Sequence, residues 1–270
     1  MTFLQAIILG IVQGLTEFIP VSSSGHLVLV PHFLDWHFAK EQAFIFDVLV
    51  QWGTLFSVFI YFWKDLTAIA GAFFQGIIRR KPFADSDARM GWYLVLATLP
   101  AVIFGLLGKT FIEHAFASAK MTGFFLFLTA ILLVVAETAG RRSRSMEQTT
   151  WLDSIWIGFS QVLALLPGVS RSGATIAGGM TRHLDRSAAA RFSFLMSVPV
   201  MLGAGLLAIK DLTELPSADA FLLPLLAGFL AALVSGYIAI RWLITYLTKH
   251  SLYLFAVYCT LLGLVVITLA

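Results

Sequence analysis

Charge is what this chain has least of. Only 12% of its 270 residues are Asp, Glu, Lys or Arg, while 59% are apolar and the mean hydropathy is +0.88. A soluble domain carries about 25% charged and about 45–50% apolar residues. With half the usual charge the chain cannot coat a water-facing surface of its size, which argues against a soluble enzyme, a disordered chain and a nucleic-acid binder. Cysteine is nearly absent as well: Cys259 stands alone, so an intramolecular disulfide and a multi-cysteine metal site are excluded. A basic N-terminal patch is missing too, the first Lys or Arg being Lys40, so no cleavable signal is expected and the leading apolar stretch is expected to belong to the mature fold. The net charge of +3 is what a membrane protein with basic loops would carry. These deficits point to an integral membrane protein.

What is present is long apolar runs. About 20 such residues cross a bilayer, and six stretches qualify: 44–63, 92–108, 121–139, 192–209, 221–240 and 252–269. Trp36, Trp63, Trp92, Trp151 and Trp242 mark several ends, as rings at headgroup level do. The apolar piece from Leu66 to Ile78 is too short to span and is expected to lie in the interface. Two further regions, 3–34 and 151–183, are broken halfway by Pro, Gly, Ser and ionisable residues. Non-helical backbone at membrane depth survives only against protein or a water-filled cavity, so each is expected to be a re-entrant pair of short helices. If neither makes a net crossing, the loops 64–91, 140–150, 182–191 and 241–250 share one side with thirteen Lys and Arg, against four on the other. If the second region crossed once, the split would be nine to eight, so the positive-inside rule favours basic loops in the cytoplasm and the C-terminus outside. A double crossing has the same parity.

A shift of 148 residues lays one interrupted region on the other. Gly10, Gln13 and Leu15 meet Gly158, Gln161 and Leu163, and Val21-Ser22-Ser23-Ser24-Gly25 meets Val169-Ser170-Arg171-Ser172-Gly173. Phe44, Phe46 and Val50 then meet Phe192, Phe194 and Val198. One hairpin and three spans per copy make the second copy upside down, an arrangement that brings broken helices together near the midplane. The expected fold is all-α: a single integral membrane domain over 1–270, with six full transmembrane helices plus two re-entrant hairpins, in repeat halves of about 1–140 and 149–270.

At the expected meeting point stand Glu17, His26 and Arg171. Ionisable groups at membrane depth are costly and usually mark function, the plain alternative being a structural Glu17–Arg171 ion pair. Ser170-Arg171-Ser172-Gly173 precedes an apolar segment, Ala174 to Met180, able to begin a helix whose free N–H groups attract anions. Arg171 adds a fork matched to phosphate oxygens. Ser22, Ser23 and Ser24 lie beside Glu17 and His26, the ingredients of an activated nucleophile. Serines also glue membrane helices together, but with Glu, His and Arg converging, catalysis is the expected role. Ser23 and Arg171 are repeat equivalents and are expected to face each other. Gln13, one turn before Glu17, shares its face and is a candidate to orient substrate or a metal ion. His32, His37, His114, His183 and His250 sit at span ends or in loops, and Glu113 and Glu137 are expected to reach the headgroups.

At these residues the sequence resembles the undecaprenyl-diphosphate phosphatase family, also called the bacitracin-resistance protein BacA family. The carriers are the (Glu/Gln)-x-x-x-Glu pattern at Gln13 and Glu17, the run from Pro20 to His26, and Pro-Gly-x-Ser-Arg-Ser-Gly-Ala-Thr from Pro167 to Thr175. The resemblance implies hydrolysis of a polyprenyl diphosphate lipid, undecaprenyl diphosphate, to the monophosphate. That recycles the carrier for cell-wall synthesis and confers bacitracin resistance, because bacitracin sequesters the diphosphate. It implies Ser23 as nucleophile, Arg171 as phosphate clamp, His26 as proton shuttle and Glu17 as an acid/base or metal-associated group. Gln13, Ser22, Ser170, Ser172 and Thr175 become substrate-binding groups, and a divalent cation, Mg²⁺ or Ca²⁺, a cofactor held at Glu17. Gln13 stands where some relatives have Glu, which weakens a two-carboxylate metal site. The setting implied is the bacterial cytoplasmic (inner) membrane, with the site opening to the outer, periplasmic side. Membrane lipids are the surroundings, nucleic acid is no partner, and a homodimer is compatible with everything above. The rival reading is a secondary transporter or lipid-carrier flippase with a midplane anion site.

Overall fold

The computed structural model of the chain describes the backbone except at residues 117, 214–217 and 270. It describes the side chains except at those positions and at 40, 41, 44, 109, 113, 114, 116, 204, 206–213 and 218–221. Lys40, Lys109, Glu113, His114, Lys210 and the later part of the expected span 192–209 therefore lie outside the described side chains. Among the described residues every regular element is a helix. In chain order these are α1 (Phe3–Phe18), α2 (Ser23–Phe33), α3 (Lys40–Tyr61), α4 (Trp63–Ile78), α5 (Ser86–Leu107), α6 (Lys109–Phe116), α7 (Ala119–Ala139), α8 (Trp151–Val162), α9 (Arg171–Thr181), α10 (Arg186–Thr213), α11 (Ala218–Leu247) and α12 (Tyr253–Leu269).

Among the described residues three stretches are single helices long and apolar enough to cross a bilayer: Ser86–Leu107, Ala119–Ala139 and Leu222–Leu247. The chain is thus an all-α, multi-pass membrane protein. The stretch 44–63 is helical only to Tyr61; at Phe62 the chain turns by 85° into α4, so the apolar piece after Trp63 lies across the end of α3. α12 is a 17-residue apolar helix over the last expected span, and α10 covers 192–209.

Both interrupted regions are pairs of short helices, α1 with α2 and α8 with α9, each packed on its partner. The breaks follow from local chemistry. Pro20 has no N–H to continue α1; Ser22 then takes a φ of 73° and caps α2, its hydroxyl accepting from Gly25 N–H at 3.2 Å. In the second region a 3₁₀ turn at Leu163–Leu165 leads to Pro167 and Gly168. Gly168 has a φ of +92°, and a Cβ there would run into the Thr122 carbonyl, so only glycine serves. Ser170 then caps α9 just as Ser22 caps α2, accepting from Gly173 N–H at 3.0 Å.

The helix pairs are clamped by the long helices. α1 lies on α11, where Gly10 lets the Gly228 carbonyl approach; α8 lies on α5, where Gly158 admits the Ala97 carbonyl. α7 packs along α12 and touches both α2 and α9. Its Thr129 hydroxyl donates to the Gly168 carbonyl and accepts from Ser170 N–H, each at 2.9 Å, fixing the second break. Between the helices Phe18 meets Phe194 edge to face, with ring centroids 5.1 Å apart, in a core shared with Phe62, Leu126 and Phe192.

The basic loops meet on one face. Arg144 and Arg182 hold the buried Asp153 at 2.6 and 2.8 Å, and Arg191 pairs with Asp65 at 3.0 Å. Glu137 does not reach the headgroups as expected: it is 4% exposed. Arg142 and Arg186 hold its carboxylate at 2.8 and 2.6 Å, and Leu252 N–H donates to it at 2.8 Å. A buried carboxylate is retained only where cations and N–H groups neutralise it, and here the loops 140–150, 182–191 and 241–252 supply them.

Candidate active site

The tips of the two helix pairs join at one carboxylate. Glu17, on the last turn of α1, is 7% exposed. Its Oε1 accepts from Arg171 Nη2, on the first turn of α9, at 2.8 Å. Its Oε2 accepts from Ser23 Oγ at the start of α2, at 2.7 Å, and from Gln13 Nε2 one turn back on α1, at 2.8 Å. Residues 154 positions apart thus share one hydrogen-bonded cluster, with Ser23 on one oxygen of Glu17 and Arg171 on the other.

The cluster has unused capacity. Among the described residues Arg171 Nη1 and Gln13 Oε1 are buried with no partner. On α8, Gln161, the counterpart of Gln13 at the 148-residue shift, is also buried and among the described residues leaves both amide atoms unpaired. An unpaired buried polar atom costs about 1–3 kcal/mol, so such atoms at a structural ion pair would be a standing loss. At a binding site they are the groups a ligand satisfies. Ser23 and the Arg171 side chain, 16% exposed, retain access to the exterior.

Other expected site residues are held differently. Ser22 and Ser170 are capping residues, and their hydroxyls also approach Ser24 and Ser172 at 3.3 and 3.1 Å, a matched pair of contacts on the two tips. Ser172 is fully buried. Thr175 donates to the Arg171 carbonyl at 2.8 Å and contacts the Ser193 hydroxyl at 2.6 Å, so its hydroxyl is taken up within the fold. His26 bonds through its ring nitrogens elsewhere than to Ser23. Its Nδ1 lies 2.7 Å from the Ser22 carbonyl, which only accepts, so Nδ1 carries the proton there. Its Nε2 lies 2.7 Å from the Tyr258 hydroxyl, which donates to it in the neutral ring, and the two rings stack within 8° of parallel. Tyr258 on α12 escaped the sequence reading: a tyrosine inside a terminal apolar span carries no local signal, and only its distance to His26 reveals it. Of the remaining histidines, His37 pairs with Asp35 at the exposed surface and His250 stacks on Tyr246. The His183 carbonyl accepts from Ser143 and Arg144 N–H between two basic loops.

The donor set does not make a resident cation site. Hard divalent cations take six or more oxygens, with carboxylates supplying much of the charge. Glu17 is the one carboxylate in the cluster, and both its oxygens are occupied by Arg171, Ser23 and Gln13. Among the described residues no group of three or more His, Cys, Asp or Glu is placed to hold a metal.

A sequence model of the family described as bacitracin resistance protein BacA matches residues 6–265. Similar proteins include an undecaprenyl-diphosphatase of Chlorobaculum tepidum, 43% identical over 98% of this chain and 95% of its own length. Another from Myxococcus xanthus is 41% identical over 100% of this chain and 89% of its own. One from Chlorobium phaeovibrioides is 40% identical over 100% and 97%.

Proposed function

The chain belongs to the bacitracin resistance protein BacA family, and from that membership and the joined helix tips we propose that it is a membrane phosphatase. It hydrolyses undecaprenyl diphosphate to undecaprenyl phosphate and inorganic phosphate. The observation that carries the catalytic reading is the single carboxylate, Glu17, bonded at once to a serine hydroxyl and to an arginine with a free donor.

Phosphoryl transfer needs an in-line nucleophile and neutralisation of charge on the phosphate oxygens. Ser23 Oγ attacks the terminal phosphorus, its proton passes to Glu17, and the bond from that phosphorus to the bridging oxygen breaks. Undecaprenyl phosphate departs with the electron pair. Water then attacks the phosphorus of the phosphoserine and the bond from phosphorus to Ser23 Oγ breaks; Glu17 returns its proton to Ser23 Oγ, the proton of the water leaves by His26, and inorganic phosphate departs. Arg171, through Nη1 and the N-terminus of α9, holds the transferring oxygens. Gln13 orients Glu17, and Ser22, Ser170, Ser172 and Thr175 shape the two tips. The Mg²⁺ or Ca²⁺ implied by the resemblance belongs, in this reading, to the diphosphate of the substrate and not to the protein.

The finer topology is part of the same proposal: six spans and two re-entrant pairs, in halves of about 1–140 and 149–270 related by inversion. Three observations support it. The Gly10–Gly228 and Gly158–Ala97 approaches join each pair to the long helix of the opposite half; α7 and α12, the last span of each half, pack together; and the four basic loops gather on one face. The setting is the bacterial inner membrane, basic loops in the cytoplasm, the site opening outward, so that hydrolysis removes the lipid form bacitracin sequesters.

Protein purified in detergent, with no gradient, is expected to release inorganic phosphate from undecaprenyl diphosphate, and Ser23→Ala to lower kcat by about a thousandfold or more. A transporter or carrier flippase built around the same anion site would bind the diphosphate and release no phosphate, and that result would overturn the proposal.

A further inference from the structure

A groove of about 280 Å³ runs between α7, α8 and α9. Its floor is one face of α9, where Ala174, Ala177 and Gly178 are too small to fill it; its walls include Leu132 and Val135 of α7 and Phe159 of α8. Its polar lining groups are spoken for. The Ser160 hydroxyl donates to the Trp156 carbonyl at 2.9 Å, and Thr181 donates to the Gly178 carbonyl at 2.8 Å while accepting from Trp156 Nε1 at 3.0 Å. With its hydroxyl and indole donors already used within the fold, the groove suits a hydrocarbon better than a polar ligand.

The position of the groove says which hydrocarbon. Arg171 and Ala174 are three residues apart on α9, hence on neighbouring positions of one helix face and about 4.5 Å apart along the axis. The groove therefore starts one turn from the anion-binding tip and continues to Thr181, roughly 10 Å further along α9. A molecule with phosphate at Arg171 and a chain along α9 fills both. We propose that this groove holds the first isoprene units of the polyprenyl chain, so that α7, α8 and α9 form the chain subsite of the diphosphatase site. The inference rests on the phosphatase reading of Glu17, Ser23 and Arg171. Bulk lipid is as apolar as the groove, so burial alone gives little preference for it. The gain comes from side-chain packing on the chain and from fixing the direction in which it leaves the phosphate, which aligns the terminal phosphorus with Ser23.

The test is steady-state hydrolysis of undecaprenyl diphosphate by purified protein, with inorganic diphosphate as a competitor that has a head and no chain. Ala177→Phe, which fills the floor, is expected to raise KM for the lipid at least tenfold relative to the Ki of inorganic diphosphate, with kcat reduced far less than KM is raised. Val135→Trp, built from a rim residue that is 42% exposed, narrows the same groove without entering the core and is expected to change the ratio in the same direction. A KM-to-Ki ratio that stays at the wild-type value in Val135→Trp overturns the inference, whether or not Ala177→Phe folds. A ratio that stays there in a folded Ala177→Phe does the same, as the groove then holds only bulk lipid. Failure of the wild-type protein to release phosphate would instead remove the phosphatase reading itself, an outcome the variants are not needed to recognise.

Discussion

Single hydrogen bonds divide the labour among the polar residues at the tips. Ser23 donates directly to Glu17 Oε2, which makes Glu17 the group placed to activate it, while the ring nitrogens of His26 are held by the Ser22 carbonyl and Tyr258. Tyr258→Phe removes the donor to Nε2 and leaves the ring held through Nδ1 alone. Loss of one such bond is worth about 1 kcal/mol, so kcat is expected to fall about fivefold with KM little changed, measured by phosphate release. Tyr258→Phe with unaltered kcat would show that the pair does not serve the reaction. Gln13, Glu17, Ser23 and Arg171 were legible in the sequence because charged and amide groups beside a Pro-Gly-Ser break in an apolar run stand out. Tyr258 and the buried role of Glu137 were not: Tyr258 is defined by a partner 232 residues away, and Glu137 is buried by Arg186 and Leu252, 49 and 115 residues away, with only Arg142 close in sequence.

At the scale of elements, the breaks in the two helix pairs are built by a few residues. Gly168→Ala would impose a Cβ on a positive φ and on the Thr122 carbonyl. A cost of about 1–3 kcal/mol is expected, read as a lower midpoint of thermal unfolding in detergent, together with reduced turnover because Arg171 follows directly. Ser170→Ala removes a cap and leaves Gly173 N–H without its acceptor, for about 1 kcal/mol. An unchanged unfolding midpoint in both variants would contradict the view that these breaks are held by local chemistry. The positions of the breaks could be read from Pro, Gly and Ser. That the piece from Leu66 to Ile78 leaves the line of the span before it was expected from its length. The place of the 85° turn, Phe62, could not be read, since Tyr-Phe-Trp is apolar on both sides and α4 packs against α5.

Over the whole molecule the two ends of the fold have different chemistry. The basic-loop face is tied by two buried carboxylates, Asp153 and Glu137, each between two arginines. Glu137→Gln strands Arg142 and Arg186 and is expected to destabilise the protein by about 3 kcal/mol, visible as early thermal aggregation, while a surviving folded fraction keeps its KM. The central cluster is different: its carboxylate joins residues of both halves and keeps donors free. If the halves form one catalytic centre, Ser23 and Arg171 act as a unit, and units lose their effect once. Phosphate release from undecaprenyl diphosphate by Ser23→Ala, Arg171→Ala and the double variant measures this most directly. The double variant is expected to be about as slow as the slower single variant. If the two losses multiplied instead, serine and arginine would be acting independently, and the shared centre at the joined tips would be contradicted.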